Sequence, residues 1–127
     1  MEFAVVAPLF LLLLAGIIEF GQAFSIEHAI SNASRRGARA AIVDDATNSQ
    51  VRQMIETHCV ASLGVNAGDV TIEIAVNGST GADLSQAEEG DEISVTVSVA
   101  YSNAGVGFYA NMFSYSTLSS TCTLEHE

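Results

Sequence analysis

Cysteine and histidine are the residue types in this 127-residue chain most suited to metal binding or nucleophilic catalysis. The histidines, His28, His58 and His126, have no metal-ligand spacing, because the sequence contains no His-x-x-x-His and no Cys-x-x-Cys pair. His58 precedes Cys59, but successive residues of a helix point about 100° apart, which keeps this thiol and imidazole from pairing. We therefore expect solvated or capping histidines, with no metal, no cofactor and no enzymatic activity.

The two cysteines, Cys59 and Cys122, fall on apolar faces, the first of a predicted helix and the second of a predicted strand. In a chain that is exported across a membrane, an even number of cysteines indicates a disulfide. A Cys59–Cys122 bridge would close a loop of roughly 64 residues and stabilise the fold by about 4 kcal/mol through chain entropy. We predict this disulfide, and the alternative is a pair of unlinked buried thiols.

Acidic residues cluster in the polar stretch from Asp83 to Glu92. Hard cations such as Ca²⁺ bind clustered carboxylates, but this stretch lacks the regular alternation of a calcium-binding loop. A solvated surface loop is therefore the preferred interpretation. Just before it, Asn77 begins an Asn-Gly-Ser tripeptide, which is the acceptor pattern for N-glycosylation, at a predicted turn.

The charge of the chain excludes one class of partner. Four basic residues, all arginine, stand against 15 acidic ones, for a net charge of −11. Nucleic-acid binding needs a basic face that neutralises phosphates, and four arginines cannot supply one. Because 49% of the residues are hydrophobic and 15% are charged, the chain is also too apolar to be disordered.

Much of the apolar character lies at the N-terminus, where residues 3–18 include no charge and no strongly polar group. As a helix this run is about 24 Å long, and a bilayer core of about 30 Å calls for a few more residues. Continuation to Phe24 supplies them. Three interpretations are open: a cleaved secretory signal, a plain membrane anchor, or a helix that is stored in the membrane and later forms the core of a filament.

Features within this helix favour the filament interpretation. The start at Glu2 is acidic where a secretory signal is basic. Glu2 and Glu19 border the apolar run, where a carboxylate is costly, and Pro8 removes a backbone hydrogen bond. Neighbouring helices in a bundle compensate for such flaws, whereas lipid does not. For Glu19, the alternative is snorkelling to the membrane interface.

The helical pattern continues to residue 43 and presents two further features. Small residues at intervals of four form a row that lets another backbone approach closely. The row comprises Ala29, Ala33, Gly37 and Ala41. Another side of the helix carries a positive collar, which comprises Arg35, Arg36 and Arg39. We expect this collar to pair with Glu19 of a staggered neighbouring subunit, and the alternative is that it neutralises the acidic residues Asp44 and Asp45.

The remainder of the chain predicts a small α+β head, defined as residues 44–127, which follows the helical domain of residues 1–43. A second helix is expected over 46–63, capped by Thr47 or Asp45 and stopped by Gly64. Alternating apolar residues then predict three antiparallel strands, over 70–76, 93–101 and from about Met112 to Leu124. Two helices followed by a three-stranded antiparallel sheet give an α+β architecture.

The N-terminal segment MEFAVVAPLFLLLLAGIIEFGQAF, followed by SNASRRGARAA, resembles the TadE-like pilins and pseudopilins of tight-adherence, type IV-related pili. The segments GDEISVTVSVAYS and TLSSTCTLEHE resemble the last two strands of that family. The resemblance implies a type IV pilin-like fold and matches Glu2 to the glutamate that follows the prepilin cleavage site. In the family a basic leader and a cleavage glycine precede that glutamate, and neither stands before Met1 in this sequence.

The resemblance also implies a function: a structural subunit that is stored in the cytoplasmic membrane and polymerises by helix packing into an extracellular filament. The implied partners are other copies of the subunit, the pilus assembly machinery and a prepilin peptidase. We expect subunit contacts at Glu2, Phe3, Pro8, Glu19 and the arginine collar. The alternative function is a single-pass anchored envelope domain that binds a partner and never polymerises.

Overall fold

Two helices precede an antiparallel sheet in the computed structural model, which describes residues 1–43, 45–100 and 117–126. The helices are α1 (Glu2–Ala41) and α2 (Asn48–Leu63). The strands are β1 (Val70–Val76), β2 (Ser79–Thr80), β3 (Glu92–Ala100) and β4 (Thr117–Glu125), with short 3-10 turns at Ala67–Asp69 and Leu84–Gln86. The predicted α+β class is therefore confirmed. The part of the last predicted strand before Thr117 lies outside the described residues, as does Tyr101.

Local signals set the ends of the helices. The α1 helix runs for 40 residues through Pro8 and ends at Ala41, two residues earlier than predicted. Asp45 follows with a φ of 65°, which turns the chain back towards α2. The predicted Thr47 cap is confirmed, because its Oγ1 accepts a hydrogen bond from the Gln50 N–H at 3.3 Å. Gly64, with a φ of 68°, ends α2 as predicted.

The sheet has four strands in the order β2-β1-β3-β4, and the prediction of three strands was wrong. The missing strand is β2, in which Ser79 and Thr80 pair with Val76 and Ala75. Asn77 and Gly78 have φ values of 50° and 83°, and a two-residue turn of this kind folds the chain directly back onto β1. A strand of two residues is too short to display any alternation, so a periodicity argument assigns it to the loop.

One face of the sheet is covered by the helices and forms the core. On β3, alternate residues from Ile93 to Val99 are buried, and the facing positions on β1 are Ile72 and Ile74. The α1 helix packs across β3 and β4, while α2 packs against α1 and β1. The other face carries hydroxyl side chains, including a Thr96–Thr121 pair with oxygens 2.8 Å apart. This single dry face explains the period-two alternation in the sequence.

Two other elements lie very close to α1 at Gly37, which is buried. A Cβ atom at this position would lie 2.9 Å from Ile55 Cγ1 on α2 and 3.1 Å from Val95 Cγ1 on β3. Real Cβ atoms do not approach other atoms this closely, so the three elements meet at this distance because residue 37 has no side chain. The second half of α1 thus shares one core with the head.

Both cysteines are free thiols, and the predicted Cys59–Cys122 disulfide is not formed in this structure. Cys59 is buried on α2, which packs against α1 and β1. Cys122 is half-buried on β4, which packs against α1 and β3. Both residues face the core as predicted, but they do so from different elements, α2 and β4. A shared apolar environment therefore does not bring the two sulfur atoms together.

Candidate functional site

The first part of α1 extends beyond the head as an apolar arm, which we define as residues 2–18. No residue of α1 before Glu19 is buried, and Phe3 and Leu9 are 81% and 69% exposed. The helix is long and apolar enough to cross a membrane, and 6% of its most apolar stretch is buried. An apolar helix inside a soluble core would be covered instead. The arm therefore presents its apolar surface to whatever surrounds the protein.

Three of the residues predicted to form subunit contacts lie on this arm. Glu2 is the first residue of α1, and the Ala4 N–H donates to the Met1 carbonyl at 3.2 Å. Pro8 lies within the helix and is exposed, so its missing N–H leaves the Ala4 carbonyl without its usual donor. Glu2, Phe3 and Pro8 are all exposed and close together in sequence. The assembly role predicted for them stays a prediction.

Glu19 lies in different surroundings from those expected. It is 6% exposed and is the first buried residue of α1, at the point where the helix begins to pack on the rest of the chain. Its side chain has an interaction partner within the chain. A carboxylate at the end of an apolar run is therefore housed within its own subunit. The burial of Glu19 could have been inferred from its position in the sequence, because it lies on the same helical face as the buried Ile26 and Ile30.

The row of small residues faces the core of its own chain. Ala33, Gly37 and Ala41 are buried, and Ala29 is half-buried. At Gly37 the side chains of Ile55 on α2 and Val95 on β3 lie against this row. Nearby, the buried Ser34 Oγ donates to the Ser31 carbonyl at 2.9 Å. Close packing along the row thus occurs within the subunit.

The arginine collar, Arg35, Arg36 and Arg39, lies on the exposed side of α1. Within the described part of the chain, none of these arginines forms an ion pair, and Asp45 pairs with none of them. Asp44, the other acidic residue predicted to neutralise the collar, lies outside the described residues. Arg36 borders a groove of about 560 Å³ between α1 and α2, which has Met54 and His58 among its other lining residues. The collar is therefore an exposed positive surface beside a partly apolar groove.

The acidic loop uses two of its carboxylates to hold its own backbone. Asp83 Oδ1 accepts a hydrogen bond from the Ser85 N–H at 3.0 Å, and Asp91 Oδ2 accepts one from the Glu88 N–H at 2.8 Å. These backbone hydrogen bonds lower the pKa of both carboxyl groups. Over residues 1–43, 45–100 and 117–126, no three His, Cys, Asp or Glu side chains converge on a possible metal position.

Asn77, the predicted glycosylation acceptor, is tied into the same loop. Its Nδ2 donates to Asp91 Oδ1 at 2.9 Å, and its Oδ1 accepts from the Glu92 N–H at 2.9 Å. The amide that would carry a glycan therefore already joins the β1–β2 turn to the start of β3. A glycan on Nδ2 would replace one of its two hydrogens at this junction.

The expectation of solvated or capping histidines was wrong for His126, which is 7% exposed with a buried Nδ1 that has no hydrogen-bond partner in the described structure. Its backbone N–H donates to the Asp91 carbonyl at 2.7 Å, and its carbonyl accepts from the Gly90 N–H at 3.0 Å. The signal was present in the sequence. The alternation through Leu118, Cys122 and Leu124 continues to His126 and places it on the inner face of the sheet.

Comparison with known families gives a match to the N-terminal part of the chain. The sequence profile described as TadE-like protein matches residues 1–39, which cover the arm, the row of small residues up to Gly37 and the arginine collar. No curated protein and no solved structure matches the chain. The TadE-like family is pilus-associated and structural rather than catalytic. A helix that is long and apolar enough to cross a membrane fits a pilus-associated, membrane-anchored protein, and the resemblance of this chain to the TadE-like family is confirmed over residues 1–39.

Proposed function

We propose that this protein is a structural subunit of a tight-adherence, type IV-related pilus, held in the cytoplasmic membrane by its arm and polymerised through that arm into an extracellular filament. The observation that carries the proposal is the uncovered apolar arm of residues 2–18, on which no residue is buried by the head. The match of residues 1–39 to the TadE-like family supports it.

The arm suits two successive environments. In a bilayer, the lipid tails cover its apolar side chains and its helical backbone satisfies its own hydrogen bonds. In a filament, arms of neighbouring subunits cover one another, which removes the same surface from water. The head lies to one side of the helix axis only from Glu19 onward, so it leaves the arm accessible on all sides.

Glu2 gives the arm a charged end that can set the axial register between neighbouring subunits. A carboxylate at the end of an apolar bundle requires a partner, because an unpaired buried charge is strongly destabilising. The α-amino group of a neighbouring subunit is a cation at the same level of the bundle. Pairing between the two would favour one axial register of neighbouring arms.

The test is an arm-to-arm crosslink in assembled material. A photo-crosslinking residue replaces Leu12, which is 53% exposed on the arm, in the full chain co-expressed with a tight-adherence assembly system. The matched control carries the same group at Ser62, which is exposed on α2. We expect Leu12 crosslinks between copies in the filament fraction sheared from the cell surface.

Two results would contradict the proposal. One is a chain that stays in the membrane fraction with no crosslink between copies at Leu12. The other is a set of Leu12 crosslinks that lead only to a different protein. Either result favours the single-pass envelope domain that binds a partner without polymerising.

A further inference from the structure

We propose that the arginine collar binds the acidic end of the head of a second copy of this chain. The inference rests on the proposed function, because it names a contact between subunits. It differs from the arm contact described above in using the head, and it replaces Glu19 as the partner of the collar.

The first observation is that the collar is unsatisfied within its own subunit. Arg35, Arg36 and Arg39 are three of the four basic residues of a chain with 15 acidic ones. Despite this excess of carboxylates, no described arginine forms an ion pair. Glu19, the partner expected from the sequence, is buried and occupied within its own chain. The collar is therefore available to an external anion.

The second observation is that carboxylates collect at one end of the molecule, which we call the distal end because it lies opposite the arm. The α1 helix ends there, and Asn48 at the start of α2 holds the acidic loop through the Ala82 carbonyl (2.9 Å) and the Leu84 N–H (2.8 Å). The end of β4 joins the same region through His126 and Gly90. The distal end carries Asp45, Asp83, Glu88, Glu89, Asp91, Glu92 and Glu125.

The two charged surfaces do not meet inside one subunit. Arg36 lies five residues before the end of α1, about 8 Å along the helix axis, on the side that faces away from the core. The carboxylates at positions 88, 89, 92 and 125 belong to the sheet side of the distal end. A contact between collar and distal end thus joins two different surfaces of two copies. Such a heterologous contact repeats from copy to copy and builds an open assembly rather than a closed dimer.

The groove beside Arg36 supplies the rest of the binding surface. Met54, 39% exposed, lies in its wall together with Gln53, whose amide group accepts and donates hydrogen bonds. Arg36 lines the same groove, and a guanidinium group can bind a carboxylate in a bidentate geometry. The groove therefore fits a short acidic loop better than a basic or purely apolar partner.

The test uses charge reversal in the full chain, in the membrane and in the co-expressed assembly system. One variant is the triple substitution R35E/R36E/R39E and the second is E88R/E89R; Asp83 and Asp91 are left unchanged because they hold the loop. A photo-crosslinking residue at Gln53 reports the contact, and the Leu12 crosslink reports the arm. The matched control is R52E, an exposed arginine on α2 outside the groove.

We expect the parent chain to give Gln53 crosslinks to the loop of residues 83–92 of a second copy. Each reversed variant alone should lower their yield about tenfold, and co-expression of the two variants should restore it, because the reversed charges attract again. Salt should weaken the parent contact, since the screening length is about 8 Å at 0.15 M. R52E should behave as the parent.

The outcomes separate this inference from the proposed function. In one outcome, the Leu12 crosslinks persist and neither charge reversal changes the yield of Gln53 crosslinks. This result would overturn the collar contact and leave the pilus proposal intact. Gln53 crosslinks that lead to lipid or to another protein would do the same. Loss of both the Leu12 and the Gln53 crosslinks between copies in the parent chain would overturn both.

Discussion

At the scale of single residues, the space available rather than side-chain chemistry determines which residue fits at position 37. Gly37 lies where α1, α2 and β3 meet, and a methyl group there would be 2.9 Å from Ile55 Cγ1. Gly21, on the same helix, has no atom within 4 Å of the position its Cβ would take. The two glycines have the same helix propensity, but position 37 has no room for a side chain and position 21 does.

We predict that Gly37→Ala lowers the free energy of unfolding by up to about 2 kcal/mol, since overpacking costs about 1–3 kcal/mol and the gain in helix propensity returns about 1 kcal/mol. Denaturant unfolding in detergent, followed by circular dichroism, measures it. Gly21→Ala is the control and should not destabilise. Adding Ile55→Val should recover part of the loss, because valine lacks Cδ1. A Gly37→Ala protein as stable as the parent would show that the three elements separate at no cost.

Cys59 provides a second test at this scale. Burial raises the pKa of its thiol, so the unfolded chain loses this proton at a lower pH than the folded protein does. Its contribution to stability is fully present below the ordinary cysteine pKa of about 8.5 and declines as the pH rises through the raised value. We expect alkaline destabilisation to be smaller in Cys59→Ala than in the parent chain.

The control for that measurement is Cys122→Ala, which should keep the alkaline decline because Cys122 is half-buried on a different element. Thiol alkylation gives an independent readout: Cys122 should react before Cys59 in the folded protein, and both should react without a reductant. Equal alkaline slopes in the two variants would contradict the assignment to Cys59.

At the scale of elements, α1 is one continuous helix with two different surroundings. Its first part, residues 2–18, carries no buried residue, and its second part packs on the sheet and α2. A variant can therefore alter the arm without altering the fold of the head. This separation makes Glu2 testable by substitution, since no described residue of the head packs against it.

We expect Glu2→Gln to insert into the membrane at the parent level and to assemble at least tenfold less well, because glutamine cannot pair with the α-amino group of a neighbouring subunit. Membrane fractionation and the yield of sheared surface filaments measure the two effects. Glu27→Gln, an exposed position on the same helix beyond the arm, is the control. Parent-level filaments from Glu2→Gln would remove Glu2 from the assembly mechanism.

Elements with a long repeating pattern were predictable from the sequence, and contacts between them were not. The period of 3.6 in the second part of α1 and in α2, and the alternation along β1 and β3, reflect one buried face each, so the type and approximate bounds of these elements could be read directly. β2 could not, since two residues have no period. The absence of a Cys59–Cys122 bridge in the structure has a related reason: a pattern tells which residues face the core, but not which of them are neighbours there.

In the candidate site, too, some features could be predicted from the sequence and others depend on tertiary packing. The exposed arm and its apolar run follow from composition, and the collar follows from three arginines within five positions. The burial of Glu19 depends on where the head begins to cover α1, which is a tertiary property. The burial of His126 could have been predicted in part, because the alternation of β4 extends to this penultimate residue of the sequence.

At the scale of the whole molecule, the net charge of −11 is unevenly distributed, with its carboxylates concentrated at the distal end. Asp91 organises this end: its side chain accepts from Asn77 and the Glu88 N–H, and its carbonyl accepts from the His126 N–H. The β1–β2 turn, the acidic loop and the C-terminal segment are therefore joined at one residue.

This arrangement predicts the acid response of the protein. Hydrogen bonds to its carboxylate, the Glu88 N–H first, lower the pKa of Asp91, so its stabilising contribution is present above the ordinary aspartate pKa of about 3.9 and is lost as the pH falls through the lowered value. We expect Asp91→Asn to be less stable than the parent at pH 7 and closer to it at pH 3. Acid titrations of unfolding measure this difference.

The control for the acid response is Glu89→Gln, a neighbouring exposed carboxylate in the same loop. It should leave the pH dependence near that of the parent chain. A parent-like acid profile in Asp91→Asn would show that the loop and the C-terminal segment are held by their backbone hydrogen bonds alone.

Because α1 is continuous across the boundary between arm and head, it also fixes the direction in which the head projects around the helix axis. Each residue of an α-helix advances the chain by about 1.5 Å and turns it by about 100°. The segment between the arm and the buried Ile26 has no break, so the direction in which the head projects is set by the number of residues that separate it from Glu2. One inserted residue there would swing the distal end by more than a quarter of a turn about the arm. The number of residues in α1 therefore sets the angle at which the head projects from the helix axis. In any assembly built on the arms, that angle determines the direction in which the heads face.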